Sequence, residues 1–255
     1  MGRMLIAETV ATDGCELAGG TEQAGGEFIG VDLGTLAGSD PVGMVATDNP
    51  AALFEAADVV IDFTVAATTA GHAGLAGQYG TALILGTTGL DAAAQSAVDA
   101  AAGSTAIVQA ANFSLGVNLL MGLTGQVAAQ LGEDYDIEIV EMHHRHKVDA
   151  PSGTALALGR AAARGRGVDL DKVSDRVRDG HTGARTKGDI GFATLRGGDV
   201  VGDHTVMFAS DGERLELTHK ATSRAVFVKG ALRAAIWSAS QPPGLYSMGD
   251  VLGFS

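Results

Sequence analysis

The sequence predicts an α/β protein with two interlocked domains, and three observations lead to that expectation. Through about residue 114, short apolar runs alternate with alanine-rich stretches, a spacing typical of a parallel sheet covered by helices on both faces. Residues 189–223 are instead rich in β-branched and aromatic residues and are divided by Gly-Gly and Asp-Gly turns, which is typical of antiparallel sheet. Residues 225–240 return to a helical pattern, which we expect to pack back on the first domain. The predicted domains are therefore 1–114 with 224–255, and 115–223.

In the first domain, each apolar run that ends in a turn is predicted as a buried strand, with helices between the strands. The chain opens with a predicted helix that leads directly into the first of these strands. Asp91 is the expected N-cap of one helix, because its carboxylate can accept from a free N–H of the first turn. The strands are predicted at 17–22, 57–64, 81–89 and 106–114, and the helices between them at 49–57, 68–80 and 90–103.

The second domain begins with a long amphipathic helix predicted at 117–132. A strand at 136–144 and a helix at 152–165 follow, and Ser152 is the expected N-cap of that helix. The turn-divided segment 189–223 completes the domain. No repeat or low-complexity linker separates the two domains.

Composition excludes several classes of protein. The chain is 46% hydrophobic and 18% charged, which excludes an intrinsically disordered protein. Its formal net charge of -13 repels nucleic acid and anionic membrane surfaces, so we expect neither as a partner. Its apolar stretches are all interrupted before the length of about 18 residues that a membrane span needs. With one cysteine, Cys15, no intrachain disulfide can form, and a reducing cytoplasm is the expected compartment.

One short segment, residues 143–147, concentrates positive charge in this acidic chain. Three histidines, an arginine and a lysine stand there in consecutive positions, immediately before Asp-Ala-Pro-Ser-Gly-Thr. A histidine can serve as acid or base near neutral pH, and the predicted helix after Ser152 offers free N–H groups and a positive dipole end. We therefore expect an anion site that contains its own proton donor.

A metal site is the alternative interpretation of this cluster. Glu141 and Asp149 flank the histidines, and together they resemble ligand sets for zinc or iron in a metal-dependent hydrolase. Arg145 and Lys147 would place two cations within a few residues of a dication, and that repulsion opposes metal binding. We expect no metal.

The carboxyl ends of the predicted parallel strands indicate a dinucleotide site, because ligands of open α/β sheets bind beyond those ends. An acidic residue past the second strand of such a fold can accept hydrogen bonds from a ribose diol. The backbone of a Gly-Thr-Thr-Gly turn can approach a nicotinamide or ribose closely. The strand ends concerned are Thr21-Glu22, Gly86-Thr87-Thr88-Gly89 and Ala110-Ala111-Asn112-Phe113.

The usual opening of a dinucleotide-binding domain is missing from this sequence. Such a domain begins with a strand and a glycine fingerprint that places the pyrophosphate at a helix N-terminus. Here only Gly2-Arg3 resembles the tail of a fingerprint. If the chain begins at Met1, we expect weak nucleotide binding, and a non-catalytic or cofactor-impaired homologue is an alternative. If the start was assigned late, by roughly 16 residues, the native protein is a full enzyme.

The segment "EMHHRHKVDAPSGTA" (141–155) resembles the signature of the 4-hydroxy-tetrahydrodipicolinate reductase (dihydrodipicolinate reductase) family nearly letter for letter. Supporting matches, among them "VVIDFT", "LGTTG", "AANFSLGVN" and "GERLELTHKATSR", extend over essentially the whole chain except its start. The resemblance implies a Rossmann-like dinucleotide-binding domain and an α+β domain that binds substrate and builds a homotetramer. It also implies NAD(P)H-dependent reduction of a small cyclic dicarboxylate in the diaminopimelate route of lysine biosynthesis.

The resemblance further implies roles for individual residues. His143 is similar to the family's acid/base residue, and Lys147 to its proton donor. His144, Gly153 and Thr154 resemble its substrate-binding residues. Glu22 would accept from the 2′-hydroxyl of NADH and repel the 2′-phosphate of NADPH, so NADH is favoured while NADPH stays possible. The implied cofactor-binding residues are Met1, Glu22, Gly86, Thr87, Thr88, Ala110, Ala111, Asn112 and Phe113.

Overall fold

The computed structural model of the protein describes residues 1–254 and divides into two compact units. The first unit contains Met1–Leu115 and the segment from Ala225 onward, and the second contains Gly116–Arg224. Within the described residues, no helix is both long and apolar enough to cross a bilayer. The elements, in chain order, are α1 (Gly2–Ala11), α2 (Leu33–Ala37), α3 (Pro50–Ala56), β1 (Val59–Asp62), α4 (Ala66–Tyr79), β2 (Ala82–Leu85), α5 (Ala92–Ala101), β3 (Ala106–Gln109), α6 (Leu115–Leu131), a 3-10 turn (Gly132–Asp134), β4 (Asp136–His143), α7 (Gly153–Arg166), α8 (Leu170–Val173), β5 (Ser174–Asp175), β6 (Ile190–Arg196), β7 (Gly202–Ser210), β8 (Glu213–Ala221), α9 (Ala225–Ser238), β9 (Gly244–Tyr246) and α10 (Met248–Leu252).

The first unit contains a four-stranded parallel sheet in the order β1-β2-β3-β9. Side chains alternate between its two faces, and both faces are covered. Leu83 and Leu85 belong to a buried cluster with residues of α4 and α5, whereas Ile84 packs in a second cluster with residues of α9. The predicted parallel sheet with helices on both faces is therefore confirmed. Asp91 caps α5 as expected, accepting from the N–H of Ala94 at 2.8 Å.

The prediction of a strand at 17–22 is wrong. In this segment Thr21 makes one isolated parallel bridge, to Thr47, and the segment joins no sheet. A strand requires a ladder of backbone hydrogen bonds to a neighbour, and an apolar run alone does not provide one. Within residues 1–254, β1 is an edge strand whose one strand partner is β2.

The second unit contains a five-stranded mixed sheet in the order β5-β6-β4-β7-β8. The expected antiparallel pairing is confirmed for β7 with β8, but it is wrong for β6, which pairs in parallel with β4. The Gly197-Gly198 turn does not close a hairpin, because β4 lies between β6 and β7. The N–H of Gly197 instead donates to the carbonyl of His143 at 3.0 Å, so the turn crosses the end of β4.

One face of this sheet forms the core of the second unit. Alternation along β4 places Ile137 and Ile139 on that face, where they pack with residues of α6 and α7 such as Leu120 and Leu158. The same alternation carries Glu141 and His143 to the core side at the end of the strand. The fold thereby buries a carboxylate and an imidazole beside the start of α7.

Candidate functional site

A buried carboxylate holds the ring of His143. Glu141 is 1% exposed, and its Oε2 lies 2.5 Å from Nδ1 of His143. An ionised carboxylate can only accept a hydrogen bond, so the ring donates from Nδ1 and its Nε2 is left for other chemistry. A Cβ at Gly202 would lie 3.1 Å from that Nε2, so the glycine keeps space beside it.

Arg196, at the end of β6, neutralises the same carboxylate. Its Nη1 and Nη2 donate to Oε2 and Oε1 of Glu141 at 2.8 and 2.9 Å, and Nη2 also donates to the carbonyl of Asp149 at 2.6 Å. Burial would raise the pKa of Glu141, but the hydrogen bonds from Arg196 and His143 outweigh it and hold this pKa below its ordinary value. The carboxylate is therefore ionised at neutral pH although it is buried.

The electrostatic surroundings keep His143 neutral at pH 7. Burial lowers the pKa of its imidazole, Glu141 opposes that effect, and the nearby charges of Lys147 and Arg196 lower the pKa further. The net direction is downward. A neutral imidazole with a fixed ring is suited to exchange a proton with a bound molecule.

Ser152 connects this pair to the start of α7. Its N–H donates to Oε1 of Glu141 at 3.0 Å, and its Oγ accepts from the N–H of Ala155 at 3.1 Å, so the predicted N-cap is confirmed. The same Oγ lies 3.1 Å from Nε2 of His204 on β7. Gly153, the first residue of α7, is exposed, and Thr154 follows it half-buried. The structure therefore brings His143 and the Gly153-Thr154 pair to one place.

The loop after β4 carries the remaining cations of the predicted site. Lys147 is half-buried, and its Nζ lies 2.7 Å from Oδ1 of Asp149. The hydrogen bond from Lys147 lowers the pKa of Asp149. An open depression beside this loop is lined by His144, Arg145, His146, Gly198, Asp199 and Arg224.

The arrangement of these side chains does not support the alternative interpretation of the cluster as the metal site of a hydrolase. Among residues 1–254, no three His, Cys, Asp or Glu side chains converge as a set of metal ligands. Glu141, one of the ligands in that alternative, already accepts from His143, Ser152 and Arg196.

In the first unit, a cavity of about 1030 Å³ adjoins β1 and contains two of the predicted cofactor residues, Met1 and Glu22, in its lining. Glu22 is half-buried, and its Oε1 accepts from the N–H of Gln23 at 2.7 Å, which leaves the carboxylate with capacity for further donors. The guanidinium of Arg3 lies 4.7 Å from the centroid of the Phe28 ring, and both residues line the cavity. A carboxylate, a cation and an aromatic ring therefore line this one cavity.

The other predicted cofactor residues lie at the carboxyl edge of the parallel sheet. Gly86, Thr87 and Thr88 directly follow β2, and the N–H of Gly86 donates to the carbonyl of Asp62 at 2.8 Å. A Cβ at Gly86 would collide with the Phe63 ring, so this turn requires glycine.

The residues after β3 reach the same edge, because β2 and β3 are parallel neighbours. Ala110 donates its N–H to Leu85 at 3.1 Å, and Ala111 is exposed. The Oδ1 of Asn112 accepts from the N–H of Ser114 at 2.8 Å, and the buried ring of Phe113 lies 5.4 Å from that of Phe63. The turns after β2 and β3 are thus close to each other, although neither lines the cavity that contains Glu22.

Sequence reasoning missed a buried carboxylate that organises this edge. Asp62 is 2% exposed, and it accepts from the N–H and hydroxyl of Thr64 and lies 2.7 Å from Nδ1 of His72. Thr87 reaches the same carboxylate at 3.4 Å. Burial would raise the pKa of Asp62, but the hydrogen bonds from His72 and Thr64 hold it below its ordinary value. No pattern in the strand indicates that these residues meet.

Sequence reasoning also missed Arg196 and His204 and gave Glu141 only the role of a metal ligand. Alternation along β4 was a usable signal for Glu141, because residues two apart share a face. Nothing comparable indicates Arg196, which is 55 positions away along the chain.

A parallel sheet with glycine turns at its carboxyl edge, joined in one chain to a unit with a histidine–carboxylate pair, defines a two-domain α/β protein of the dinucleotide-binding class. Two family models match, "Dihydrodipicolinate reductase, N-terminus" over residues 1–113 and "Dihydrodipicolinate reductase, C-terminus" over residues 116–252. The chain belongs to the dihydrodipicolinate reductase family.

Relatives agree with this assignment. The chain is 54% identical over 253 residues to the 4-hydroxy-tetrahydrodipicolinate reductase of Ruegeria pomeroyi, covering 99% of this chain and 94% of the relative. It is 56% identical over 254 residues to the reductase of the same name from Parvibaculum lavamentivorans, with the same coverage of each. The dipicolinate-bound dihydrodipicolinate reductase of Paenisporosarcina sp. TG-14 superposes with a TM-score of 0.74 at 22% identity, over 96% of this chain and 92% of that one. That likeness shows the shared fold.

Proposed function

We propose that the protein converts 4-hydroxy-tetrahydrodipicolinate to tetrahydrodipicolinate in the diaminopimelate route of lysine biosynthesis. The substrate takes a hydride from a nicotinamide nucleotide and one proton, and its 4-hydroxyl group leaves as water. Membership of the family and the relatives' names support the reaction. The structural observation that carries the proposal is the buried Glu141–His143 pair, which Ser152 connects to the start of α7. It supports the proposal because reduction of a cyclic dicarboxylate requires an acid/base group beside a site for a carboxylate.

In the second unit, each residue has a proposed task. The N–H groups of Gly153 and Thr154 hold one substrate carboxylate at the positive end of α7. His144, at the depression that also contains Arg145 and Arg224, contacts the substrate. Lys147 donates the proton to the ring atom next to the carbon that is reduced, and His143 acts as the acid/base residue through its Nε2.

In the first unit, residues of the cavity beside β1 and of the turns at the sheet edge hold the nucleotide. A bound nicotinamide nucleotide supplies the hydride. Glu22 accepts from the adenosine ribose diol and favours NADH, because its charge repels a 2′-phosphate. Met1 contributes to the same cavity. The turns at Gly86–Thr88 and Ala110–Phe113 orient the nicotinamide end through their backbone groups.

We also propose a cytoplasmic homotetramer. The face of the five-stranded sheet opposite Ile137 and Ile139 carries Val140, Met142 and Leu195, and Leu195 is 50% exposed. Apolar side chains on an uncovered sheet face are typical of a surface that another subunit covers.

An assay of NADH oxidation with freshly prepared dihydrodipicolinate precursor tests the reaction. We expect turnover in the wild-type protein and a loss of about 10²-fold or more in kcat for His143→Ala and for Lys147→Ala, with nucleotide affinity nearly unchanged. Lys172→Gln is the control, because Lys172 lies on α8, is 81% exposed and pairs with Asp169, the N-cap of that helix. Unchanged turnover in both site variants would remove their proposed roles, and no turnover in the wild type would contradict the proposed reaction.

A further inference from the structure

We propose that Glu141 and Arg196 form one positioning unit that fixes the ring of His143, sets its proton affinity and anchors the start of α7. The inference deepens the proposed function and rests on it for the role of His143. Neither residue contacts the reacting atoms in this proposal. Both act through His143 and through Ser152.

The hydrogen bonds to Glu141 use the full capacity of its carboxylate. Oε1 accepts from the N–H of Ser152 at 3.0 Å and from Nη2 of Arg196 at 2.9 Å. Oε2 accepts from Nδ1 of His143 at 2.5 Å and from Nη1 of Arg196 at 2.8 Å. A carboxylate has about four lone-pair positions, so each oxygen is satisfied. One buried group therefore determines both the imidazole orientation and the position of the helix N-terminus.

Arg196 prevents the Glu141 carboxylate from keeping His143 protonated. A buried carboxylate beside an imidazole favours the imidazolium, because an uncompensated buried charge is costly. The forked guanidinium supplies the compensating charge itself, and its bond to the carbonyl of Asp149 holds it in place. His143 can then remain neutral while its Nδ1 still donates to Glu141.

Other groups around His143 do not reproduce this arrangement. Lys147, on the following loop, adds positive charge on one side. The ring of His204, on β7, meets the His143 ring edge-on with centroids 5.1 Å apart. Burial lowers the pKa of His204 to about 4, so this ring is neutral at working pH. Glu141 is accordingly the acidic group that raises the pKa of His143, and Arg196 both lowers that pKa and occupies Glu141.

Glu141 and Arg196 therefore shift the pKa of His143 in opposite directions. Glu141→Gln removes the interaction that favours the imidazolium, so the pKa of His143 should fall further. Arg196→Gln removes the competing cation, so the same pKa should rise. General loosening of the site would instead expose the ring and move its pKa upward in both variants, because burial is the largest of the effects that lower it.

The test is an NMR titration of the imidazole nitrogens of His143 in the full-length protein, with the signal assigned by its loss in His143→Ala. We expect opposite displacements in the two variants and a drop of about 10²-fold in kcat for each, with the nucleotide KM changed less than about twofold. Arg196→Lys, which keeps the charge but lacks the fork, should return the titration toward that of the wild type. Arg214→Gln is the control, since Arg214 pairs with Glu216 on β8 in the same sheet.

Arg196→Gln leaves a buried carboxylate without its counter-ion and could prevent folding. The double variant Glu141→Gln/Arg196→Gln removes both charges and keeps the inference testable. We expect it to fold and to keep a low kcat, because an amide pair cannot reproduce the forked contact. Displacement of the His143 titration in the same direction in both single variants, or wild-type kcat in the double variant, would overturn the inference.

A failure of this inference can be distinguished experimentally from a failure of the proposed function. Full turnover in His143→Ala would remove the proposed role of His143, whereas the NMR titration would still report on Glu141 and Arg196. Loss of turnover in His143→Ala, combined with parallel displacements in the two variants, would leave the proposed function intact and remove this inference alone.

Discussion

The Oγ of Ser152 lies 3.1 Å from Nε2 of His204, although the two residues are 52 positions apart along the chain. The same serine donates its N–H to Glu141 and caps α7 through Ala155. His204 is 3% exposed, so the contact is shielded from water. The start of α7 is thereby held by two buried side chains on two neighbouring strands.

Ser152→Ala tests whether this attachment matters for substrate binding. The variant loses the N-cap and leaves Nε2 of His204 without its partner, so we expect the free energy of unfolding to fall by about 1–2 kcal/mol. The KM for the dicarboxylate should rise by about tenfold or more, because the helix N-terminus that carries Gly153 loosens. Urea unfolding and steady-state kinetics measure the two effects.

Asp91→Ala is the matched control for this experiment. It removes the N-cap of α5, where Asp91 accepts from Ala94, and should cost about 1 kcal/mol of stability. Its effect on the substrate KM should be negligible. A similar rise of that KM in both variants would mean that general destabilisation, not the position of α7, is responsible.

Because of the titration of His204, the free energy of unfolding should depend on pH below pH 7. Burial lowers its pKa from 6.5 to about 4, so between these values the unfolded chain binds a proton that the folded protein does not. Stability is complete above pH 6.5 and falls as the pH drops toward 4, by up to about 1.4 kcal/mol per pH unit for this one group.

His204→Gln should flatten that dependence, because the amide keeps an acceptor near Ser152 but does not titrate. For each of the two proteins, urea unfolding at pH 7 and at pH 5 gives the slope of the free energy of unfolding against pH. The slope of the wild type is then compared with that of the variant. His143 and His219 also have lowered pKa values, so part of the slope should remain. Equal slopes in wild type and variant would show that His204 is protonated in the folded state.

Glu22→Gln should change the choice of nucleotide. Loss of the negative charge removes the repulsion of a 2′-phosphate, and we expect kcat/KM for NADPH relative to NADH to rise by about tenfold. Glu27→Gln removes an exposed charge nearby and serves as the control. A wild-type protein that already prefers NADPH would contradict the role proposed for Glu22.

Leu195→Glu tests the proposed assembly. The charge would stand on the apolar face of the five-stranded sheet that carries Val140 and Met142, so we expect the tetramer to dissociate into smaller species. Light scattering coupled to size-exclusion chromatography measures the mass. Val168→Glu, at a position 38% exposed after α7, should leave the mass unchanged. A wild-type mass equal to one chain would remove the proposal.

The local features of this fold were predictable because they depend on neighbours in sequence. Asp91 and Ser152 cap helices as expected, since a short acceptor side chain needs only the N–H groups that follow it. The buried strands β2 and β3 lie within the predicted ranges for the same reason. The segment 17–22 has the apolar composition of a strand but lacks the neighbour that would make it one.

Pairing was less predictable than local structure. The turn at Gly197-Gly198 has the composition of a hairpin, but β6 pairs in parallel with β4. Which strand fills a position in a sheet depends on crossovers and on burial of a whole face, and neither is visible within one turn.

The sequence by itself determined the family, the α/β class and the cluster of basic and titratable residues at 143–147. Only the tertiary structure decided that Arg196 and His204 reach this cluster, and that Glu141 holds the imidazole of His143. The reason is physical, because these contacts join different strands. Their geometry depends on sheet order and register, which composition and spacing along one segment do not contain.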